Sequence, residues 1–210
     1  MVHGYYLKLM MQILDDCVES KYFNVLRNEI FDFRHMPWFL SKYTAYKQKS
    51  TDTDDFSFSH LAIKDGHDIS ELAPYARIFI DRAFEKLGEN RPKIYRVRFG
   101  LILKSHKHKV HGPHVDHHAP HQTGLLYLND SDGDTYFYDN YYNPTSDEGL
   151  SQFDYYEKYI KDDLKFQQSI TPKSNRLVLF NGYQYHASSC PTESQLRVVM
   201  NFNFNYDKSL

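Results

Sequence analysis

The chain has 210 residues and a mass of 25.0 kDa, room for one sizeable core but hardly for two domains. Its 25 Lys and Arg stand against 27 Asp and Glu, a formal charge of -2 that gives no basis for broad electrostatic capture of nucleic acid or of an anionic membrane. No stretch approaches the roughly 20 apolar residues that cross a bilayer. Cys17 and Cys190 alone make neither a disulfide framework nor a Cys-only zinc site, which points to a reducing, cytoplasmic setting.

The opening MVHGYYLKLMMQILDD lacks a clear cleavage site and runs into acidic residues, so it reads as a first strand, not a signal peptide. Leu9 to Leu14 suit a buried strand. A helix then runs to about Phe31 with Phe23, Leu26 and Ile30 on one face, starting at Ser20 or, with the Asp16/Glu19 capping-box spacing, at Asp16. Residues 46–56, KQKSTDTDDFS, have no periodic core signal and read as a loop, either a solvated linker or a flap near a site.

A second helix is marked by Ser70 before it, Pro74 in its first turns and Gly88 at its end. Leu72, Ala76, Phe79, Ile80, Ala83 and Leu87 form its apolar stripe. After Pro92 the period changes to strands: Ile94–Lys104, a short one around His114–Asp116, Gly124–Asn129, Thr135–Asp139, Lys165–Ile170, Arg176–Asn181, Gln184–Ala187 and Gln195–Asn205. Two helices followed by about eight short strands predict a mainly β chain with its N-terminal helices packed on a β-sandwich or jelly roll. We read residues 1–210 as one domain, with helical support over about 20–88 and the β core over about 94–206. An aromatic insertion at about 140–163 contains a short helix near Phe153–Lys161 and reads as a cover on the core or a lid beside a pocket.

Seven of the 12 histidines fall within HKHKVHGPHVDHHAPH, residues 106–121. The useful unit is His114-Val115-Asp116. Residues i and i+2 of a strand point to one side, so an imidazole and a carboxylate can meet one cation. A third ligand on an opposing strand gives the 2-His-1-carboxylate set suited to non-haem Fe(II). His186, in NGYQYHASSC, is the natural third ligand, its bland alternative being a hydrogen-bonded core histidine. The other histidines of the run (His106, His108, His111, His117, His118 and His121) read mostly as loop residues, some of them ordering the site rim.

Eleven residues after His186, Arg197 opens RVVMNFNFN. Arg197, Val199, Asn201 and Asn203 share one face, and a polar row facing inward needs a polar tenant. A guanidinium at its head can hold a carboxylate by a bidentate pair; the alternative is a solvated arginine with no specific role. Tyr127, in LLYLND, is placed to offer its hydroxyl to the same carboxylate from a neighbouring strand, although a tyrosine there is also ordinary core.

These segments together, HGPHVDHH, LLYLNDSDGDTYFYD, PKSNRLVLFNGYQYHASSCP and LRVVMNFNFN, resemble the prolyl-4-hydroxylase-like branch of the 2-oxoglutarate and Fe(II) dependent dioxygenases, including small microbial and phage-encoded members. The resemblance runs from about Gln12 to Tyr206. It implies a double-stranded β-helix, the cupin-like jelly roll of those enzymes. It also implies Fe(II) held by His114, Asp116 and His186, and 2-oxoglutarate held by Arg197 with help from Tyr127 and Asn201. The implied reaction hydroxylates an unactivated C–H bond, in proline, a prolyl peptide or another small molecule, with O2 as partner, succinate and CO2 as coproducts and ascorbate as a reductant of stray oxidised iron. Because Asp116 fills the position that halogenating relatives leave free, hydroxylation is expected over halogenation. Alternatives are a small-molecule or nucleobase oxygenase of the same superfamily, or an inactive jelly-roll binding domain. Monomer and homo-oligomer both stay open. The chain departs from the pattern at Asp132-Gly133-Asp134, where members often have Gly-Gly, and at Asn203, where some have tryptophan.

Overall fold

The computed structural model describes residues 11–45, 56–146 and 149–205. The stretch 46–55, Leu9, Met10 and Tyr206 lie outside the described residues. In chain order the elements are β1 (Gln12–Leu14), α1 (Ser20–Phe31), β2 (Phe39–Ser41), β3 (Ser57–Lys64), β4 (His67–Asp68), α2 (Ala73–Leu87), β5 (Lys93–Leu103), β6 (Gln122–Tyr127), β7 (Thr135–Tyr141), α3 (Gln152–Tyr159), β8 (Phe166–Ile170), β9 (Arg176–Asn181), β10 (Gln184–Ser188) and β11 (Leu196–Asn205). Among the described residues no helix is long and apolar enough to cross a membrane.

The strands form two antiparallel sheets. The larger has the order β1-β9-β6-β11-β5-β3-β2, with β4 on β3; the smaller has the order β10-β7-β8. An isolated bridge between His114 and His186 adds the segment around His114 to the free edge of β10. From β5 onward the chain therefore winds back and forth between the sheets, as a double-stranded β-helix core does, without the two sheets closing into one hydrogen-bonded barrel.

Period-two alternation gives the larger sheet two different faces. Val97, Phe99 and Leu101 of β5, Val198, Met200, Phe202 and Phe204 of β11, and Leu177 and Leu179 of β9 meet α1 and α2 in one apolar cluster. Phe84 of α2 lies edge-on to Phe204 at 5.1 Å, and Phe23 of α1 edge-on to Phe79 at 6.5 Å. The opposite face carries Arg96, Arg98, Arg197, Asn201 and Asn203 and looks toward the smaller sheet.

Local signals explain most boundaries. Gly88 terminates α2 with φ 70°, the left-handed conformation glycine adopts without strain. Ser70 sits ahead of α2 and its Oγ accepts from the backbone N–H of Leu72. Neither proposed cap of α1 acts as one: Glu19 occupies that position without a side-chain bond, Ser20 is the first helical residue, and Asp16 is left-handed at φ 48°. The expected buried first strand is instead an exposed edge, with Ile13 48% accessible, because β1 pairs only with β9 at the end of the sheet.

Three strands, β2 to β4, lie between the two helices where the sequence reading has none. In SFSHLAIK a register shift between Leu61 and Ile63 breaks the alternation, so no simple strand pattern survives. The insertion packs on the outer face of the smaller sheet: Tyr142, Tyr155 and Ile160 join Val115, Tyr138, Tyr183 and Tyr185 in a separate cluster. No described residue of the insertion lines the cavity at the metal ligands.

Candidate metal centre

His114 and His186 exchange both backbone hydrogen bonds, at 2.9 and 3.0 Å, so their side chains leave the paired segments on the same side. Their ring centroids are 4.7 Å apart. Asp116, two residues along, points the same way, and its Oδ2 lies 4.0 Å from His186 Nε2. The three residues each offer one ligand atom within 4.8 Å of the others, and no other described His, Cys, Asp or Glu group gathers in this way.

The imidazoles are set for metal binding. His114 Nδ1 faces the Gly112 carbonyl at 3.1 Å, and His186 Nδ1 faces the Gln184 carbonyl at 3.0 Å. A ring nitrogen against a carbonyl must carry the proton, which leaves each Nε2 lone pair for a cation. Burial, with the neighbouring His186, pulls the His114 pKa down to about 3, so the ring is neutral at physiological pH.

Asp116 is the complementary anion. Burial alone would raise its carboxyl, but facing His186, Arg96 and His114 and the hydrogen bond from Asn201 outweigh that and hold it well below the usual carboxylate range. Its Oδ2 accepts from Asn201 at 3.0 Å, Asn203 at 3.1 Å and Thr123 at 3.3 Å, and Arg96 approaches Oδ1 at 3.5 Å. Two imidazoles and one fixed carboxylate, lining one cavity, are the donor set that suits a divalent transition metal.

Arg197 lies in the same cavity as the three ligands. The guanidinium is 3% accessible; its Nη2 donates to Thr135 Oγ1 at 2.7 Å, and its buried Nε has no hydrogen-bond partner among the described residues. An unsatisfied buried N–H of a guanidinium is costly unless an acceptor arrives, so the residues fit a carboxylate at this end. Tyr127 is fully buried beside it, with Arg197 Cζ 5.6 Å from the ring centroid, and its hydroxyl donates to the same Thr135 oxygen at 2.7 Å. Burial pushes the Tyr127 pKa up, so the phenol stays protonated.

The structure thus brings His114, Asp116, His186, Arg197 and Asn201 to one cavity, with Asn201 spending its amide N–H on Asp116 and Tyr127 lying behind Arg197. The surplus histidines are not bystanders in solvent throughout. His111 is buried with Nδ1 2.8 Å from Ser188 Oγ and Nε2 3.3 Å from Cys190 Sγ; His121 is buried under Gly182; His118 stacks on Tyr142 at 4.2 Å.

The sequence reading does not single out Arg96, Arg98 or Thr135. Arg96 and Arg98 alternate with Val97 and Phe99 on β5, a signal of the same kind as the polar row of β11. Thr135 gains its place only from the approach of β7 to β11, which no local pattern encodes. The departure at Asp132-Gly133 also has a function in the fold. Asp132 accepts from the backbone N–H groups of Thr192, Glu193 and Ser194 and from the Thr192 hydroxyl, fixing the loop that leads into Arg197.

No protein-family model and no curated protein sequence matches the chain. Solved structures do. A Pseudomonas putida prolyl-4-hydroxylase superposes with a TM-score of 0.55 at 12% identity, covering 93% of this chain and 92% of that one. The non-haem α-ketoglutarate-dependent epimerase SnoN of nogalamycin biosynthesis gives a TM-score of 0.60 at 11% identity, over 93% of this chain and 78% of that one. HygX from Streptomyces hygroscopicus, solved with nickel, 2-oxoglutarate and hygromycin B, gives 0.55 at 10% identity, over 94% and 83%. Across nearly its whole length, this chain therefore has the fold of the 2-oxoglutarate/Fe(II) oxygenases.

Proposed function

We propose that the chain is a 2-oxoglutarate and Fe(II) dependent oxygenase that oxidises a C–H bond of a small molecule. The observation that carries this reading is the placement of His114, Asp116 and His186 in one cavity with Arg197, whose Nε awaits an acceptor. His114 and His186 supply Nε2 donors, Asp116 supplies the charge, and Asn201, Asn203 and Thr123 keep its carboxylate aimed. Arg197, backed by Tyr127 and Thr135, receives the distal carboxylate of 2-oxoglutarate. With Fe(II) and 2-oxoglutarate bound, O2 would convert the oxo acid to succinate and CO2 and its second oxygen atom would enter the substrate as a hydroxyl. The chain's part is to hold these groups in register beside the target carbon.

Small-molecule chemistry is favoured because the similar folds include an epimerase and a carbocyclase of nogalamycin biosynthesis and HygX solved with hygromycin B. A second reading, hydroxylation of proline or a prolyl peptide, is supported by the Pseudomonas putida prolyl-4-hydroxylase, of which 92% is covered. Asp116 supports hydroxylation over halogenation under either reading.

The test is the visible absorption spectrum of the Fe(II)-loaded protein on adding 2-oxoglutarate without oxygen. A saturable charge-transfer band that disappears in His186→Ala and Asp116→Ala supports the proposal. Absence of the band from folded protein with bound Fe(II) overturns it in favour of a binding domain.

A further inference from the structure

Arg98 feels the charge of Asp116 through space but makes no contact ion pair with it. It stands on β5 between Asn201 of β11 and Leu61 of β3, and it lines the cavity that holds His114, Asp116, His186 and Arg197. Each of the other two guanidiniums here has a partner: Arg96 donates to Asn203 Oδ1 at 3.0 Å and approaches Asp116, and Arg197 bonds Thr135. Arg98 has no hydrogen bond or ion pair among the described residues. Burial, reinforced by Arg96, lowers its pKa to about 10, which still leaves it charged at neutral pH.

The charge balance needs an anion. Asp116 is the one carboxylate lining this cavity among the described residues, against Arg98 and Arg197 with Arg96 just behind. Under the proposed function, Fe(II) and the 2-oxoglutarate dianion cancel, and Arg197 already serves the distal end of that cosubstrate. A half-buried guanidinium with no hydrogen-bond acceptor among the described residues favours a ligand that supplies one. Its planar fork matches the two oxygens of a carboxylate.

We propose that Arg98 anchors the primary substrate by a carboxylate, making the substrate class small carboxylic acids, free amino acids included, as opposed to capped peptides. The assignment rests on the oxygenase reading above. The anchored carboxylate lies beside the metal ligands, with the body of the substrate extending along the cavity toward Phe58 and Thr44.

The test uses the full chain loaded with Fe(II) and 2-oxoglutarate without oxygen, with propionate as probe and propionamide and methyl phosphate as controls. Paramagnetic broadening of the probe's methyl proton resonance reports binding near iron. Propionate is expected to saturate and propionamide is not. Arg98→Gln is expected to weaken propionate by roughly tenfold or more, as for loss of a charge-assisted hydrogen bond, and Arg98→Lys by less. The 2-oxoglutarate band of Arg98→Gln is expected to titrate as in the parent. Equal propionate binding in parent and Arg98→Gln, or none in the parent, overturns the anchor. Tighter binding of methyl phosphate overturns the carboxylate assignment, and loss of 2-oxoglutarate binding in Arg98→Gln reassigns the residue to the cosubstrate. If the parent shows no 2-oxoglutarate band before any probe is added, the oxygenase reading itself has failed.

Discussion

Thr135 Oγ1 accepts a hydrogen bond from Arg197 Nη2 at 2.7 Å, and a second, from the Tyr127 hydroxyl, at the same distance. With both lone pairs of the hydroxyl engaged, its own hydrogen is free to donate to a third group, and Thr135 borders the cavity. Thr135→Val removes that acceptor while keeping the shape. It is expected to weaken 2-oxoglutarate roughly 10- to 100-fold, in line with about 1.5–3 kcal/mol for a bond to a charged group, and to leave metal affinity unchanged. Titration of the charge-transfer band beside a separate metal titration checks this; equal loss in both would assign Thr135 to the fold alone.

Asp116 is the one anionic ligand, and three neutral donors converge on its Oδ2. Asp116→Ala is expected to abolish coupled hydroxylation, and normal turnover in that variant would defeat the ligand assignment. Asn203→Ala leaves all ligands in place but loosens the carboxylate, with an expected fall in metal affinity of about 10- to 100-fold, typical of groups that orient metal ligands. Competition with a chelator measures it.

How much of this was legible in the sequence follows from how local each signal is. On β11 the row Arg197, Val199, Asn201, Asn203 alternates cleanly with Val198, Met200 and Phe202, because one face meets a cavity and the other the helical layer. The same logic on β5 exposes Arg96 and Arg98 once β5 is known to pair with β11. By contrast β3 hides behind its register shift. The roles of Thr135 and Asp132 depend on strands and loops about 60 residues away in the chain, which makes them properties of the fold and not of any window of residues.

Gly133 sits where the chain has no room for a side chain. A Cβ there would lie 2.8 Å from the Ser189 carbonyl oxygen and 3.1 Å from Arg197 Cδ. The Ser189 contact is with backbone and cannot swing away, so Gly133→Ala is expected to displace the turn and Arg197 with it. The outcome is a weaker 2-oxoglutarate complex together with a stability loss of about 1–3 kcal/mol, the usual cost of overpacking. An unchanged 2-oxoglutarate affinity in a destabilised variant would show that the turn yields without moving the guanidinium.

The N-terminal strand is tied to the core sheet by charge. Arg176 holds the Asp15 carboxylate through Nε at 2.6 Å and Nη2 at 3.0 Å, and Lys173 adds a contact at 3.2 Å. The hydrogen bond from Arg176 leads the shift of the Asp15 pKa from 3.8 down to about 2, against the opposing effect of burial. A folded-state pKa below the unfolded one means stabilisation that is complete above 3.8 and vanishes as pH falls through about 2. Asp15 is 39% accessible, so solvent screening keeps the contribution below about 1 kcal/mol. Asp15→Asn is accordingly expected to melt slightly below the parent at neutral pH, with the gap closing between 3.8 and about 2. Melting curves of both proteins across that range check it, and a gap that persists at the acid end would mean that the pair acts through packing and not through charge.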